Sequence, residues 1–197
     1  MNLPNVITVT RILLIPVFIV LYMLQKDWSI FAASVLFALA AITDWLDGYL
    51  ARRLDQTTPF GAFLDPVADK LIVVAALIIL VAYHNNPWLT LPSLIIVGRE
   101  IVISALREWM AEVNDSVAVA VSYLGKIKTT LQMIALTLLL SQPVGNDSSV
   151  LQIGYILLYL AAVMTLWSMW QYLQAAWSSL SRGLGNRKSG SERENGG

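Results

Sequence analysis

Residues 43–70 read TDWLDGYLARRLDQTTPFGAFLDPVADK, which places four aspartates, Asp44, Asp47, Asp65 and Asp69, in segments that otherwise have the character of membrane-spanning helix. Helix neighbours three or four positions apart lie about one turn apart on the same face. Asp44 and Asp47 therefore share one helical face, and Asp65 and Asp69 share another. A carboxylate at the bilayer midplane costs about 3 kcal/mol on insertion scales, so intramembrane acids are functional by default and demand compensation. A divalent cation held between the two faces supplies it. With hard oxygen ligands and neither His nor Cys nearby, the donor set favours Mg²⁺, Mn²⁺ or Ca²⁺ over Zn²⁺.

Working outward, the chain of 197 residues is 57% hydrophobic and only 13% charged, with a mean hydropathy of +0.65. A soluble domain carries roughly a quarter of its residues charged, so the composition specifies a polytopic membrane protein. The absence of cysteine excludes thiolate nucleophiles, disulfides and zinc-thiolate sites. Crossing the hydrocarbon core takes about 20 apolar residues. Six stretches qualify, at 7–25, 29–51, 63–83, 89–110, 117–140 and 150–176. The fold class expected is all-α integral membrane, a six-transmembrane-helix bundle with both termini on one side. Twelve of the thirteen Lys and Arg residues fall on that side, with only Lys26 opposite, and the positive-inside rule makes it cytoplasmic.

Local signals agree with this layout. Gln25-Lys26-Asp27 and His84-Asn85-Asn86-Pro87 form short far-side turns, each followed by a tryptophan suited to the interface, Trp28 and Trp88. His84, the only histidine, reads as a solvated loop residue. Thr58 and Pro59 have the pattern of an N-cap and first helical residue opening the third span. Small residues crowd the second span (Ala32, Ala33, Ser34, Ala38, Ala40, Ala41), as expected of a helix inside a bundle. Residues 1–180 form one domain, and 181–197, rich in Gly, Ser and charge, are expected to be a disordered polar tail.

The depth of the acidic cluster indicates its substrate. Asp44 lies about 12 Å along a helix from Arg52, at 1.5 Å per residue, so with Arg52 at the interface the cluster sits just below the headgroups. A lipid phosphate reaches that depth, and paired metals are a recurring arrangement for phosphoryl displacement. Gly48 and Gly61 flank the acids, where a missing side chain admits a ligand to the backbone, and Arg52 offers a forked cation for phosphate. Further cations at 99, 107, 126 and 128 suit a second, anionic substrate, unless Glu100 and Glu108, each following an arginine, balance them instead.

The pattern Asp44-x-x-Asp47-Gly48-x-x-Ala51-Arg52, then Gly61, Asp65 and Asp69, resembles without gaps the signature of the CDP-alcohol phosphatidyltransferases. Asn2–Arg11, Val97–Glu100, Ser104–Met110 and Gly125–Thr129 are similar to segments of the bacterial members of that family that accept glycerol 3-phosphate. The resemblance implies a homodimeric six-helix enzyme of the bacterial inner (cytoplasmic) membrane with its active site facing the cytoplasm. Its substrates would be CDP-diacylglycerol and sn-glycerol 3-phosphate, its products phosphatidylglycerophosphate and CMP, and its partners membrane lipids rather than nucleic acid. Carried over by position, Asp44, Asp47, Asp65 and Asp69 form the metal site, with two Mg²⁺ or Mn²⁺ ions, and Asp69 is also the catalytic base. Gly48, Ala51, Arg52 and Gly61 are implied to form the CDP-lipid floor. Asn5, Thr8, Arg11, Arg107, Lys126 and Lys128 are candidates for the acceptor phosphate. Two other readings stay open on the residues alone: a sibling enzyme with another acceptor alcohol, and a cation-transport site.

Overall fold

In the computed structural model, the backbone is described for residues 3–54, 59–112 and 123–194, and the side chains for 8–43, 64, 67–110, 127–174 and 177. The described residues form six α-helices: α1 (Leu3–Met23), α2 (Asp27–Leu54), α3 (Pro59–His84), α4 (Pro87–Glu112), α5 (Tyr123–Leu140) and α6 (Ser149–Glu194). No strand occurs among them. Val67–His84, Pro87–Met110 and Ser149–Gln174 are long and apolar enough to cross a membrane. Thr8–Met23, Asp27–Thr43 and Ile127–Leu140 are shorter apolar stretches among the described residues.

Local chemistry sets the helix ends. α1 stops at Gln25, whose positive φ of 50° is the left-handed conformation that terminates helices and whose side chain caps the Tyr22 carbonyl at 2.7 Å. Lys26 N–H then donates to Ser29 Oγ at 3.1 Å, the backward half of a capping box that starts α2. Between α3 and α4 the device recurs. Asn85 takes φ 43°, Asn86 Oδ1 accepts the Trp88 N–H at 3.0 Å as an N-cap, and Pro87 occupies the first helical position. α3 likewise opens on Pro59 and continues through Pro66; the expected Thr58 cap lies outside the described residues.

One reading of the sequence is corrected here. His84 is not a solvated loop residue: it ends α3, and its Nε2 lies 3.3 Å from the hydroxyl of Tyr22, which is fully buried on α1. The backbone of α6 is described as far as Glu194.

α3 packs against α1, α4 and α5, while α2 packs against α1 and α5, and α6 against α4 and α5. The main core joins Phe18 and Tyr22 of α1, Phe37 of α2, Leu77 and Leu80 of α3, Ile96 of α4, Leu136 and Leu139 of α5 and Leu158 of α6. Phe18 and Phe37 meet edge to face at 6.1 Å between ring centroids. Ala33, Ser34 and Ala40 are buried while Phe31, Leu39 and Ile42 on the same helix are exposed, so α2 presents its small residues to the bundle as predicted. Close packing of this kind, rather than hydrophobic driving force, holds helices together where the surroundings are lipid.

Candidate functional site: a charged layer across the bundle

The helix ends meeting at the Gln25–Lys26, Asn85–Asn86 and Ser141–Ser148 loops give a common reference plane. Tyr22 contacts His84 there, Asn86 Nδ2 donates to the Tyr155 hydroxyl at 3.2 Å, and the Tyr159 hydroxyl donates to the Trp88 carbonyl at 2.8 Å. At 1.5 Å per residue, Arg11 stands about 18 Å along α1 from that end, Asp69 about 22 Å along α3, Glu100 about 20 Å along α4 and Lys128 about 18 Å along α5. Charged side chains from four helices thus share one layer inside otherwise apolar segments.

Within it the described contacts fall into two sets. On one side, Arg11 Nη1 donates to Asp69 Oδ1 at 2.9 Å; the arginine is 2% exposed and the aspartate 43%. Thr8, one turn earlier on α1, is also buried. Lys70, adjacent to Asp69, donates to Ser104 Oγ of α4, and that hydroxyl donates to the Glu100 carbonyl at 2.7 Å. On the other side, Glu100 Oε1 accepts from Arg99 Nη1 at 2.9 Å and from Lys128 Nζ at 3.2 Å. Arg99 Nη2 reaches Ser168 Oγ on α6 at 3.2 Å. The Arg107 guanidinium lies over the Tyr172 ring, 5.6 Å from its centroid, a cation–π placement that leaves the arginine exposed.

Of the residues singled out from sequence, Asp69 and Arg11 are brought into contact, Thr8 lies beside them on α1, and Lys128 and Arg107 belong to the α4–α5–α6 set. The backbone places Asp44 and Asp47 in α2 and Asp65 in α3, but their side chains, with those of Asn5, Gly48, Ala51, Arg52, Gly61 and Lys126, lie outside the described residues. No cluster of three metal-ligating side chains occurs among the described residues. Asp69, the described member of the four, fits a metal role by its chemistry: a hard oxygen donor with a substantial part of its surface open. Ser168 and Tyr172 escaped sequence reading, and Ser104 entered it only as the first residue of the family-like segment Ser104–Met110. The only signal pointing to them was the Arg99-Glu100 pair in the middle of an apolar helix, where charge needs polar partners on neighbouring helices.

Comparison with known proteins gives one consistent result. The family described as CDP-alcohol phosphatidyltransferase matches residues 1–167. A Pseudomonas fluorescens protein named CDP-diacylglycerol–glycerol-3-phosphate 3-phosphatidyltransferase is 59% identical over 181 residues, covering 91% of this chain and 92% of its own. Proteins of the same name from Escherichia coli K12 and Shigella flexneri serotype 5b are each 51% identical over 179 residues, covering 91% of this chain and 97% of theirs.

Proposed function

The chain belongs to the CDP-alcohol phosphatidyltransferase family, and from that premise we propose that it transfers the phosphatidyl group of CDP-diacylglycerol to sn-glycerol 3-phosphate, giving phosphatidylglycerophosphate and CMP. One observation carries the reading: the ungapped aspartate signature sits in a chain that aligns along nine-tenths of its length with relatives bearing that name.

In this reading Asp44, Asp47, Asp65 and Asp69 hold Mg²⁺ or Mn²⁺, two ions in all, which supply charge neutralisation at the pyrophosphate. Gly48, Ala51, Arg52 and Gly61 receive the nucleotide end of the lipid. Asp69 takes the proton from the free primary hydroxyl of glycerol 3-phosphate. That oxygen forms a bond to the β-phosphorus, the bond from this phosphorus to the bridging oxygen breaks, and its electron pair leaves with CMP. The buried Arg11 donates to the Asp69 carboxylate and so orients the base toward the hydroxyl. The acceptor phosphate is met by residues drawn from Arg107, Lys126 and Lys128 of α4 and α5 and from Asn5, Thr8 and Arg11 of α1.

The same reading has six spans with both termini cytoplasmic, supported by the bias of Lys and Arg to one side. It includes a homodimer in the bacterial cytoplasmic membrane with the charged layer opening to the cytoplasm. Purified protein supplied with CDP-diacylglycerol and a panel of acceptors tests it through CMP release. Glycerol 3-phosphate should be consumed efficiently, and serine, inositol phosphate and glycerol poorly; a different preferred acceptor reassigns the enzyme within its family.

A further inference from the structure

Arg99, Glu100 and Lys128 form a junction in which one carboxylate oxygen serves two cations. Glu100 Oε1 receives Arg99 Nη1 from its own helix and Lys128 Nζ from α5, at 2.9 and 3.2 Å. Arg99 is braced from a third helix by Ser168, whose hydroxyl donates to the Thr165 carbonyl at 3.0 Å. Lys128 is almost wholly buried, so its ammonium has little freedom to leave the junction.

Among the described residues the junction is not electrically complete. Arg99 and Lys128 together outnumber Glu100, the carboxylate that joins them, by one charge, while Arg107 of α4 is exposed. Glu108, the next carboxylate on α4, is exposed. Arg99 Nε is buried with no hydrogen-bond partner among the described residues. Excess positive charge inside an apolar segment is costly until an anion enters. A phosphate monoester, with a charge of about −1.5 to −2 and three acceptor oxygens, would offset that excess and accept from the donors that Glu100 leaves free.

We propose that Glu100 is a positioning residue for the acceptor phosphate: by tying Arg99 of α4 to Lys128 of α5 it fixes, before substrate arrives, the cationic pair that meets the phosphate group. This rests on the acceptor assigned under the proposed function. Held on one oxygen, the two cations necessarily lie within several ångströms of each other, where like charges repel unless a carboxylate stands between them. An ammonium has three N–H donors and a guanidinium five, so Glu100 orients both groups without exhausting them. Preorganisation of this kind lowers the ordering cost of binding the anion.

The test compares wild type with Glu100→Gln, which keeps shape and removes charge, and with Glu100→Asp, which keeps charge. CMP release gives KM and kcat, and the thermal midpoint of the detergent-solubilised protein is followed with added inorganic phosphate as probe. Losing one charged hydrogen-bonding partner should raise the KM for glycerol 3-phosphate by about tenfold or more in Glu100→Gln, with kcat and the KM for CDP-diacylglycerol within about twofold of wild type. Glu100→Asp should recover part of the loss, and stabilisation by phosphate should be strong in wild type and weak in Glu100→Gln. If Glu100→Gln does not fold, Ser168→Ala, which loosens only the outer brace on Arg99, should raise the same KM by a smaller factor. Equal losses on both substrates, an unchanged or lowered KM for the acceptor, or phosphate stabilisation unaffected by Glu100→Gln would overturn the proposal. A wild type inactive with glycerol 3-phosphate would instead overturn the proposed function; phosphate stabilisation that still depended on Glu100 would then support the same clamp for another phosphorylated acceptor.

Discussion

Arg11 Nη1 on α1 lies 2.9 Å from Asp69 Oδ1 on α3, across 58 positions of sequence, with the guanidinium buried and the carboxylate partly open. The asymmetry matters. A buried cation cannot be replaced by water, whereas an open carboxylate remains available to substrate and metal. Arg11→Ala should therefore lower CMP release by about 10- to 100-fold, the value of one charge-assisted hydrogen bond at a reacting group. Arg11→Lys keeps the charge but loses the planar fork, and should fall between. Wild-type turnover in Arg11→Ala would show that the pair has no part in the reaction.

Asp69→Asn tests the proposed base. The amide preserves volume and can still accept from Arg11, but it cannot take the hydroxyl proton. A positioned base contributes about 10²- to 10⁴-fold, so turnover should fall by that order while membrane insertion and the elution profile of the solubilised protein stay as in wild type. Substantial residual activity would move the base elsewhere.

Chelation addresses the proposed ions directly. If the four aspartates hold divalent cations, EDTA should abolish CMP release and Mg²⁺ or Mn²⁺ should restore it. Asp44→Asn and Asp47→Asn should each raise the metal concentration needed for half-maximal activity. Full activity in EDTA-treated, metal-free protein would remove the metal from the mechanism.

The helical layout was legible because two independent signals coincide: apolar runs of spanning length, and turn residues such as Gln25, Asn86-Pro87 and Pro59 that punctuate them. Membrane helices must satisfy their backbone internally, so a long apolar run has few alternatives. The aspartates drew notice in the sequence for a related reason, since acids in apolar surroundings stand out. What could not be read was who meets whom. Arg11 with Asp69, Lys128 with Glu100 and Tyr22 with His84 are contacts between helices remote in sequence, set by helix rotation and tilt rather than by periodicity. From sequence, Arg99 and Lys128 suit an anionic substrate unless Glu100 balances them; the structure shows one Glu100 oxygen accepting from both.

Tyr22→Phe probes the opposite end of the bundle. Its hydroxyl, buried and 3.3 Å from His84 Nε2, ties α1 to α3 where Tyr22 also meets Tyr83 edge to face at 5.6 Å. Loss of the hydroxyl should cost about 1 kcal/mol and lower the thermal midpoint by a few degrees. Turnover should be unchanged, because the residue lies about 16 Å along α1 from Arg11 at 1.5 Å per residue. A parallel loss of activity would mean that this end of the bundle communicates with the charged layer.

Gly154→Ala tests how closely α5 and α6 must approach. A Cβ at this position would lie 2.9 Å from both Cδ2 and Cγ of Leu139 and 3.5 Å from the Leu139 backbone nitrogen. Leu139 is 1% exposed, so its side chain has nowhere to swing, and the two helices must separate or the leucine must leave its rotamer. Overpacking of this kind costs about 1–3 kcal/mol, enough to lower the thermal midpoint measurably. Gly98 is the control: a Cβ there meets nothing within 4 Å, so Gly98→Ala should be neutral or stabilise α4 by up to about 1 kcal/mol through helix propensity. Leu139→Ala alone should destabilise by leaving a cavity, yet combined with Gly154→Ala it makes room for the new methyl. The double variant should therefore be more stable than the sum of the two single changes, with a coupling of about 0.5–3 kcal/mol. Strict additivity would show that Gly154 and Leu139 do not share the contact, and that some other feature sets the spacing of α5 and α6.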